Sequence, residues 1–178
     1  MNLNKNVFRE YDVRGIADTD FSGDFSFNLG KAFASYIIET KLGYSLAVSG
    51  DVRPSTERIK KEFIKGALST GLNIVDIGII PTPVNYFVNY KNIDVDASVQ
   101  ITGSHNPSEY NGFKFTLKKE SFFGDKIKEL YNIIRDERYH LIGGANDASG
   151  TLKIVDIIPS YIEDIISRIK INRRMKVV

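Results

Sequence analysis

Hydrophobic positions along the chain change period repeatedly. Leu29, Ala32, Phe33, Tyr36 and Ile37 recur at three- and four-residue intervals, the spacing of one helix face, and Gly43 follows where a helix end favours positive φ. Ser45 to Ser49 is a short run read as a strand. The turn Gly50-Asp51-Val52-Arg53-Pro54 comes next, after which Ile59, Phe63, Ala67 and Leu68 return to helical spacing. Asn73 to Ile77 is a second predicted strand. Thr82 as a cap and Pro83 at the first helical position then predict a third helix reaching about Asn89. Ala97 to Thr102 and Phe113 to Leu117 read as strands on either side of a polar loop, and Ile127, Leu130 and Ile134 mark a fourth helix. The stretch from Gly143 to Gly150 is the most loop-like in the chain. Beyond it, Leu152 to Val155 predicts a last strand, and Tyr161, Ile162, Ile165, Ile166 and Ile169 a final helix.

Strands that alternate with helices, rather than gathering in blocks, indicate the α/β class. With 178 residues the chain is long enough for one compact domain with a real core. Its 42% hydrophobic and 26% charged content is that of a globular protein, and no apolar run approaches the ~20 residues that cross a bilayer. The first six residues lack the apolar centre of a signal peptide. There is no cysteine, which removes disulfides and thiol chemistry, so a cytoplasmic location and no membrane partner are expected. Lys and Arg (24) nearly balance Asp and Glu (22), and the charges are mixed along the chain. No nucleic-acid partner is expected.

The loop Thr102-Gly103-Ser104-His105-Asn106-Pro107 carries the chemistry. It sets a small hydroxyl nucleophile directly after a predicted strand, beside a glycine that permits close backbone approach and a proline that stiffens the exit. A serine hydroxyl needs a base or strong electrostatic help at neutral pH, and His105 and Lys114 are the candidates in reach by sequence. The same residues also suit an ordinary hydrogen-bonded turn, and Lys114 an outward position on a half-buried strand. Asp51 and Arg53 read equally as a structural turn contact or as part of a site.

Thr102 to Pro107, followed by Tyr110-Asn111-Gly112-Phe113-Lys114, resembles the active-site loop of the α-D-phosphohexomutases. Phe8-Arg9-Glu10-Tyr11-Asp12-Val13-Arg14-Gly15 is similar to that family's N-terminal motif, and Gly50 to Arg53 and Asp76 to Gly78 fall between the two in the expected order. The wording is most like bacterial phosphomannomutase/phosphoglucomutase. One departure is Gly50, where many members have arginine. The resemblance implies a three-layer αβα domain with a mixed, mostly parallel sheet of about four strands. It implies a phosphoserine-bearing domain I over residues 1–145, with 146–178 as the last strand and helix leading to a missing domain II.

The implied activity interconverts hexose 6-phosphate and hexose 1-phosphate, of mannose, glucose or both, through phosphorylated Ser104 and a hexose 1,6-bisphosphate intermediate. Ser104, Lys114 and His105 are the implied catalytic residues. Tyr11, Arg14 and Asn106 are the implied substrate-binding residues, and Mg²⁺ would be held at Ser104 through its phosphate. The family's Asp-Gly-Asp-x-Asp metal loop, its sugar-recognition loop and its later phosphate-binding loop do not occur in the sequence. Arg173 to Val178 ends in what reads as the opening of a further strand. The expected partners are therefore a small phosphosugar and the C-terminal domains of the same polypeptide, with the isolated chain folded but inactive. A stand-alone phosphosugar-binding module and a non-catalytic interaction domain are the alternatives.

Overall fold

A computed structural model describes residues 3–91, 94–140, 150–170, 172–174 and 176. Seven strands form one sheet: β1 (Val13–Ile16), β2 (Ser45–Gly50), β3 (Asn73–Ile79), β4 (Ala97–Ile101), β5 (Tyr110–Leu117), β6 (Glu120–Ser121) and β7 (Leu152–Ile154). Their order is β1-β5-β4-β2-β3-β7, with the two-residue β6 paired to β5. The four strands β4, β2, β3 and β7 pair in parallel, whereas β5 is antiparallel to β1, β4 and β6.

Among the described residues, a 3-10 turn at Lys5–Val7 and six α-helices accompany the sheet: α1 (Ala17–Asp20), α2 (Gly23–Glu39), α3 (Thr56–Leu68), α4 (Thr82–Val88), α5 (Asp125–Arg135) and α6 (Ile158–Arg168). Side chains alternate across the sheet, so Leu46 and Val48 of β2 face one core while Ala47 faces another. The first core lies under α2, α3 and α5 and is rich in phenylalanine, with Phe33 4.6 Å from Phe115 and Phe63 5.4 Å from Phe113 between ring centroids. The helices α2 and α3 meet through glycines, because a Cβ on Gly30 would sit 2.1 Å from the Phe63 carbonyl oxygen. The second core, under α4, is smaller. The result is three αβα layers.

The expected class holds, with seven strands where about four were expected. The additions come from segments too short or too polar to show alternation: β6 is two exposed residues, and β1 is four residues of which only Val13 and Gly15 are buried. Two local expectations fail. Positive φ falls on Lys41 rather than Gly43; Gly43 instead accommodates Asp96, whose carboxylate accepts from the Tyr44 N–H and whose atoms a Cβ would meet at 2.2 Å. Thr82 opens α4 as its first residue, with Pro81 as the flanking residue, and makes no capping bond. The expected domain boundary at 145/146 and most of the Gly143–Gly150 loop lie outside the described residues.

Candidate functional site

The parallel strands β2, β3 and β4 end together, and the chain reverses direction across the sheet there. From β2 it crosses to β3 on one side, then returns through α4 to β4 on the other. A crevice opens at the carboxyl ends of strands where the order reverses, which is where α/β sheets place ligands. Here the crevice is an open cleft of about 770 Å³ floored by Gln100 and Thr102 and edged by Asp51, Arg53, Ser104 and His105.

Ser104 is exposed and holds φ of 56°, the left-handed region that a residue with a Cβ enters at a cost of about 1 kcal/mol. Arg53 braces the loop around it. Its Nη2 donates to the carbonyls of Ser104 (3.0 Å) and Asn106 (2.6 Å), and its Nη1 donates to those of Pro107 (2.5 Å) and Tyr110 (2.9 Å). Its Nε donates to Asp51 Oδ2 at 3.1 Å. The planar guanidinium thus binds four loop carbonyls and one carboxylate at once, a geometry that a lysine ammonium does not offer.

Asp51 is fully occupied in turn. It accepts from Thr102 Oγ1 (2.7 Å), Thr56 Oγ1 (2.7 Å), the Arg53 N–H (3.1 Å) and Arg53 Nε. Burial pushes its carboxyl up, but the bonds from Thr102 and Thr56, the Arg53 N–H and the Arg53 charge outweigh it, so the group lies below the ordinary carboxylate range. The loop is closed further by the Ser104 N–H on Thr102 Oγ1 (2.9 Å) and by Asn106 Nδ2 on the Gly103 carbonyl (2.9 Å). His105 Nδ1 stands 3.4 Å from Ser104 Oγ.

A second cluster occupies the neighbouring strands. Register aligns Arg14 of β1 with Gly112 of β5, and Lys114 of β5 with Gln100 of β4, so these positions share one face of the sheet. The opposite face of the same strands carries Val13, Phe113, Phe115 and Val99 into the phenylalanine core. Buried Asp12 binds Arg14 Nη2 closely and lies 3.6 Å from Lys114 Nζ. One carboxylate therefore serves two cations, and Arg14 Nε is buried with no partner among the described residues. The loop and the cluster are joined through backbone, since the Thr102 N–H donates to the Gly112 carbonyl at 2.9 Å.

Residues 5–140 match the family described as phosphoglucomutase/phosphomannomutase, alpha/beta/alpha domain I. The chain belongs to that family. A phosphoglucomutase of Neisseria meningitidis is 31% identical over 99% of the chain, and a phosphomannomutase/phosphoglucomutase of Pseudomonas aeruginosa 32% over 99%. A crystal structure of a phosphoglucomutase/phosphomannomutase family protein from Burkholderia thailandensis superposes on 96% of the chain with a TM-score of 0.88 and 32% identity. The chain spans 36–37% of the length of these relatives.

Among the expected site residues of this family member, Ser104, His105 and Asn106 share the clamped loop, although the Asn106 side chain is used within the loop itself. Arg14 and Lys114 share the cation cluster, where Lys114 pairs with Asp12 rather than with Ser104. Tyr11 is 71% exposed, its ring 6.1 Å from that of Phe123. Sequence reasoning underweighted Arg53 and Asp51 and did not single out Asp12. The available signal was positional: Asp51 and Arg53 follow a strand at the same sheet edge as the serine loop. Among the described residues no group of three or more His, Cys, Asp or Glu is placed to hold a metal ion, and the oxygens of Asp51 are spent. The residues present do not by themselves make a Mg²⁺ site.

Proposed function

We propose that this chain is the phosphoryl-carrying part of a longer phosphohexomutase that interconverts hexose 6-phosphate and hexose 1-phosphate of mannose, glucose or both. The observation that carries the reading is Ser104 itself, an exposed hydroxyl at a clamped left-handed turn on the rim of the sheet-end cleft. Strain held at a polar, solvent-facing position is a recurring property of functional sites.

In the forward step, phosphorylated Ser104 gives its phosphoryl group to a sugar hydroxyl. The bond from phosphorus to the serine oxygen breaks, a bond to the sugar oxygen forms, and the sugar proton ends on the serine oxygen. The resulting hexose 1,6-bisphosphate turns over in the cleft and returns its other phosphate to Ser104. Such transfers depend on positioning and on neutralising the phosphoryl oxygens. In this reading Arg14 and Lys114, which share Asp12, supply positive charge, while Tyr11 and Asn106 are assigned to the substrate. His105 is within reach to deliver the proton to the serine oxygen, with Lys114 as the alternative acid/base. A Mg²⁺ ion, in this reading, would be held by phosphorylated Ser104 together with residues outside this chain, and would supply positive charge to the phosphoryl oxygens.

The three missing loops and the 36–37% span fit a chain that does not turn over alone. No helix among the described residues is long and apolar enough to cross a membrane, and a cytoplasmic location is our reading. The test is mass spectrometry of the full-length product after incubation with glucose 1,6-bisphosphate. Phosphate is expected on Ser104, and the Ser104→Ala enzyme is expected to lose mutase activity. A phosphate found elsewhere, or an active Ser104→Ala enzyme, defeats the assignment.

A further inference from the structure

Where β4, β5 and β6 meet, the face of the sheet opposite the phenylalanine core is polar. Register sets Ser98 of β4 beside Thr116 of β5, and Thr116 beside Ser121 of β6, so three hydroxyl residues stand in a row on one face. A ladder of buried side chains joins that row to α4 and its end. Asn85 Nδ2 donates to Ser49 Oγ at 2.7 Å, Ser98 Oγ donates to Asn85 Oδ1 at 2.9 Å, and Asn89 Nδ2 donates to Ser98 Oγ at 2.8 Å. The ladder ends on an unmet acceptor. Asn89 is 6% exposed, and its Oδ1 is buried with no hydrogen-bond partner among the described residues. Turning the amide over would not help, because Nδ2 also faces the carbonyls of Asn85 and Tyr86, each at 3.3 Å, and reversal would set an oxygen against both. A buried acceptor without a donor is destabilising, and few are kept in a folded chain without a reason.

Two cavities share Asn89 and Lys119 as walls. One, of about 150 Å³, is closed by Val95, Asp96 and Lys118, and the other, of about 200 Å³, by Tyr86, Tyr90, Thr116 and Ser121. Lys118 is neutralised by Asp96 at 2.6 Å, whereas exposed Lys119 rests its ammonium 5.7 Å from the Tyr90 ring centroid and forms no ion pair among the described residues. No acidic side chain borders the larger cavity. Both lie toward the start of β4, away from the Ser104 cleft, which is floored by Gln100 and Thr102 at its other end. We propose that the two cavities form one binding site for a small hydroxylated anion, separate from the cleft and independent of the mutase reading. A hydroxyl of the ligand donates to Asn89 Oδ1, its phosphate or carboxylate meets Lys119, and Tyr86 and Tyr90 flank its carbon chain. Rotation of the exposed Lys119 side chain joins the cavities and turns its ammonium onto the anion. Both volumes fall below the ~300 Å³ at which sites for drug-sized ligands begin, which suits a compound of about three or four carbons rather than a hexose.

The test titrates the isotope-labelled 178-residue chain with glycerol 3-phosphate and, separately, with glycerate, and follows the backbone amide resonances. Saturating shifts are expected at Tyr86 to Tyr90 and at Thr116 to Ser121 with at least one of the two, and the tighter of them names the anionic group. The hydroxyl is tested from the ligand's side, without altering the protein. Propyl phosphate, or propionate in the carboxylate arm, keeps the anion and lacks every hydroxyl, so it leaves Asn89 Oδ1 unmet and should bind at least about tenfold more weakly. Lys119→Met, at an exposed position, should weaken binding by a similar factor while the thermal midpoint stays at the parent value. Saturation by neither compound overturns the proposal. Shifts confined to Thr102 to Lys114 overturn it as well, since they put the anion at the Ser104 loop and the Arg14–Lys114 cluster. So does equal binding of the hydroxyl-free compound, or equal binding by the Lys119→Met chain, and the partner of Asn89 is then an ordered water.

Discussion

Two arginines, one clamping the Ser104 loop and one in the cluster on the neighbouring strands, are used in opposite ways. Arg53 has every described donor direction committed to the protein, four carbonyls of the Ser104 loop and the carboxylate of Asp51. Arg14 shares a single carboxylate with Lys114 and keeps a buried Nε without a partner among the described residues. A saturated cation holds shape, because any displacement strands several acceptors at once. A pair of cations that shares one carboxylate leaves positive charge unbalanced, which in our reading serves an anion. The arrangement thus separates a cation that braces the Ser104 loop from two cations that share one carboxylate.

The largest effect should come from breaking the saturated side. Arg53→Ala leaves four carbonyls and Asp51 without their donor, and we expect it to lower stability by about 2–3 kcal/mol in urea unfolding. Amides from Thr102 to Tyr110 should exchange faster than the rest of the domain. Arg53→Lys should recover little of this, since an ammonium cannot span the four carbonyls. A lysine variant as stable as the parent would show that the clamp is replaceable point charge.

Next in size is Asp51→Asn, expected to cost about 1–2 kcal/mol at pH 7 through weakened charge-assisted bonds. The sign with pH follows from the depressed carboxyl of Asp51. A folded-state value below the unfolded one means the unfolded chain binds more protons, so the contribution is complete above about pH 4 and fades as pH falls through the folded value. The difference between parent and Asp51→Asn should therefore shrink on acidification below about pH 4, read as converging urea midpoints. A gap that stays constant would mean that Asp51 acts through packing alone.

The reserved side gives a smaller loss with a distinctive rescue. Asp12→Asn leaves Arg14 and Lys114 facing each other without their carboxylate, and we expect a loss of about 1 kcal/mol at low salt. Added inorganic phosphate should raise the thermal midpoint of this variant more than that of the parent, because the anion takes the vacated position. The Arg53→Ala protein should show no such preferential rescue.

How far the sequence led can be judged from these residues. Helices with a full apolar face, such as α2 with Leu29, Phe33 and Ile37, were legible because 3.6-residue periodicity is written in residue type. The serine loop was legible by its wording. The role of Arg53 was not, because its partners are backbone carbonyls of Ser104, Asn106, Pro107 and Tyr110, some fifty positions away, and a carbonyl has no residue-type signature. Asp12 was hidden for a different reason. Its importance lies in β1–β5 pairing, and β1 is too short to announce itself by alternation. The exposed face of α6 reads like any amphipathic helix, since periodicity tells which side is apolar and not what covers it.

The smallest change in stability, and the sharpest division between the two arginines, belongs to Lys114→Met. Lys114 is partly exposed and its 3.6 Å pairing with Asp12 duplicates a closer one from Arg14, so removing its charge should alter stability by less than about 0.5 kcal/mol. The methionine keeps most of the aliphatic stem against the sheet, and the loop stays clamped because no Arg53 bond is touched. What is lost, under the proposed function, is one of two cations available to an incoming phosphate. Phosphate should then stabilise the Lys114→Met chain measurably less than the parent, while amide exchange from Thr102 to Tyr110 stays at the parent rate. In the full-length enzyme the same change should lower kcat at least tenfold, the scale expected when a charge that acts on the transferring group is removed. A Lys114→Met protein with loosened loop amides would instead make Lys114 a second brace, and the separation between holding shape and holding charge would fall with it.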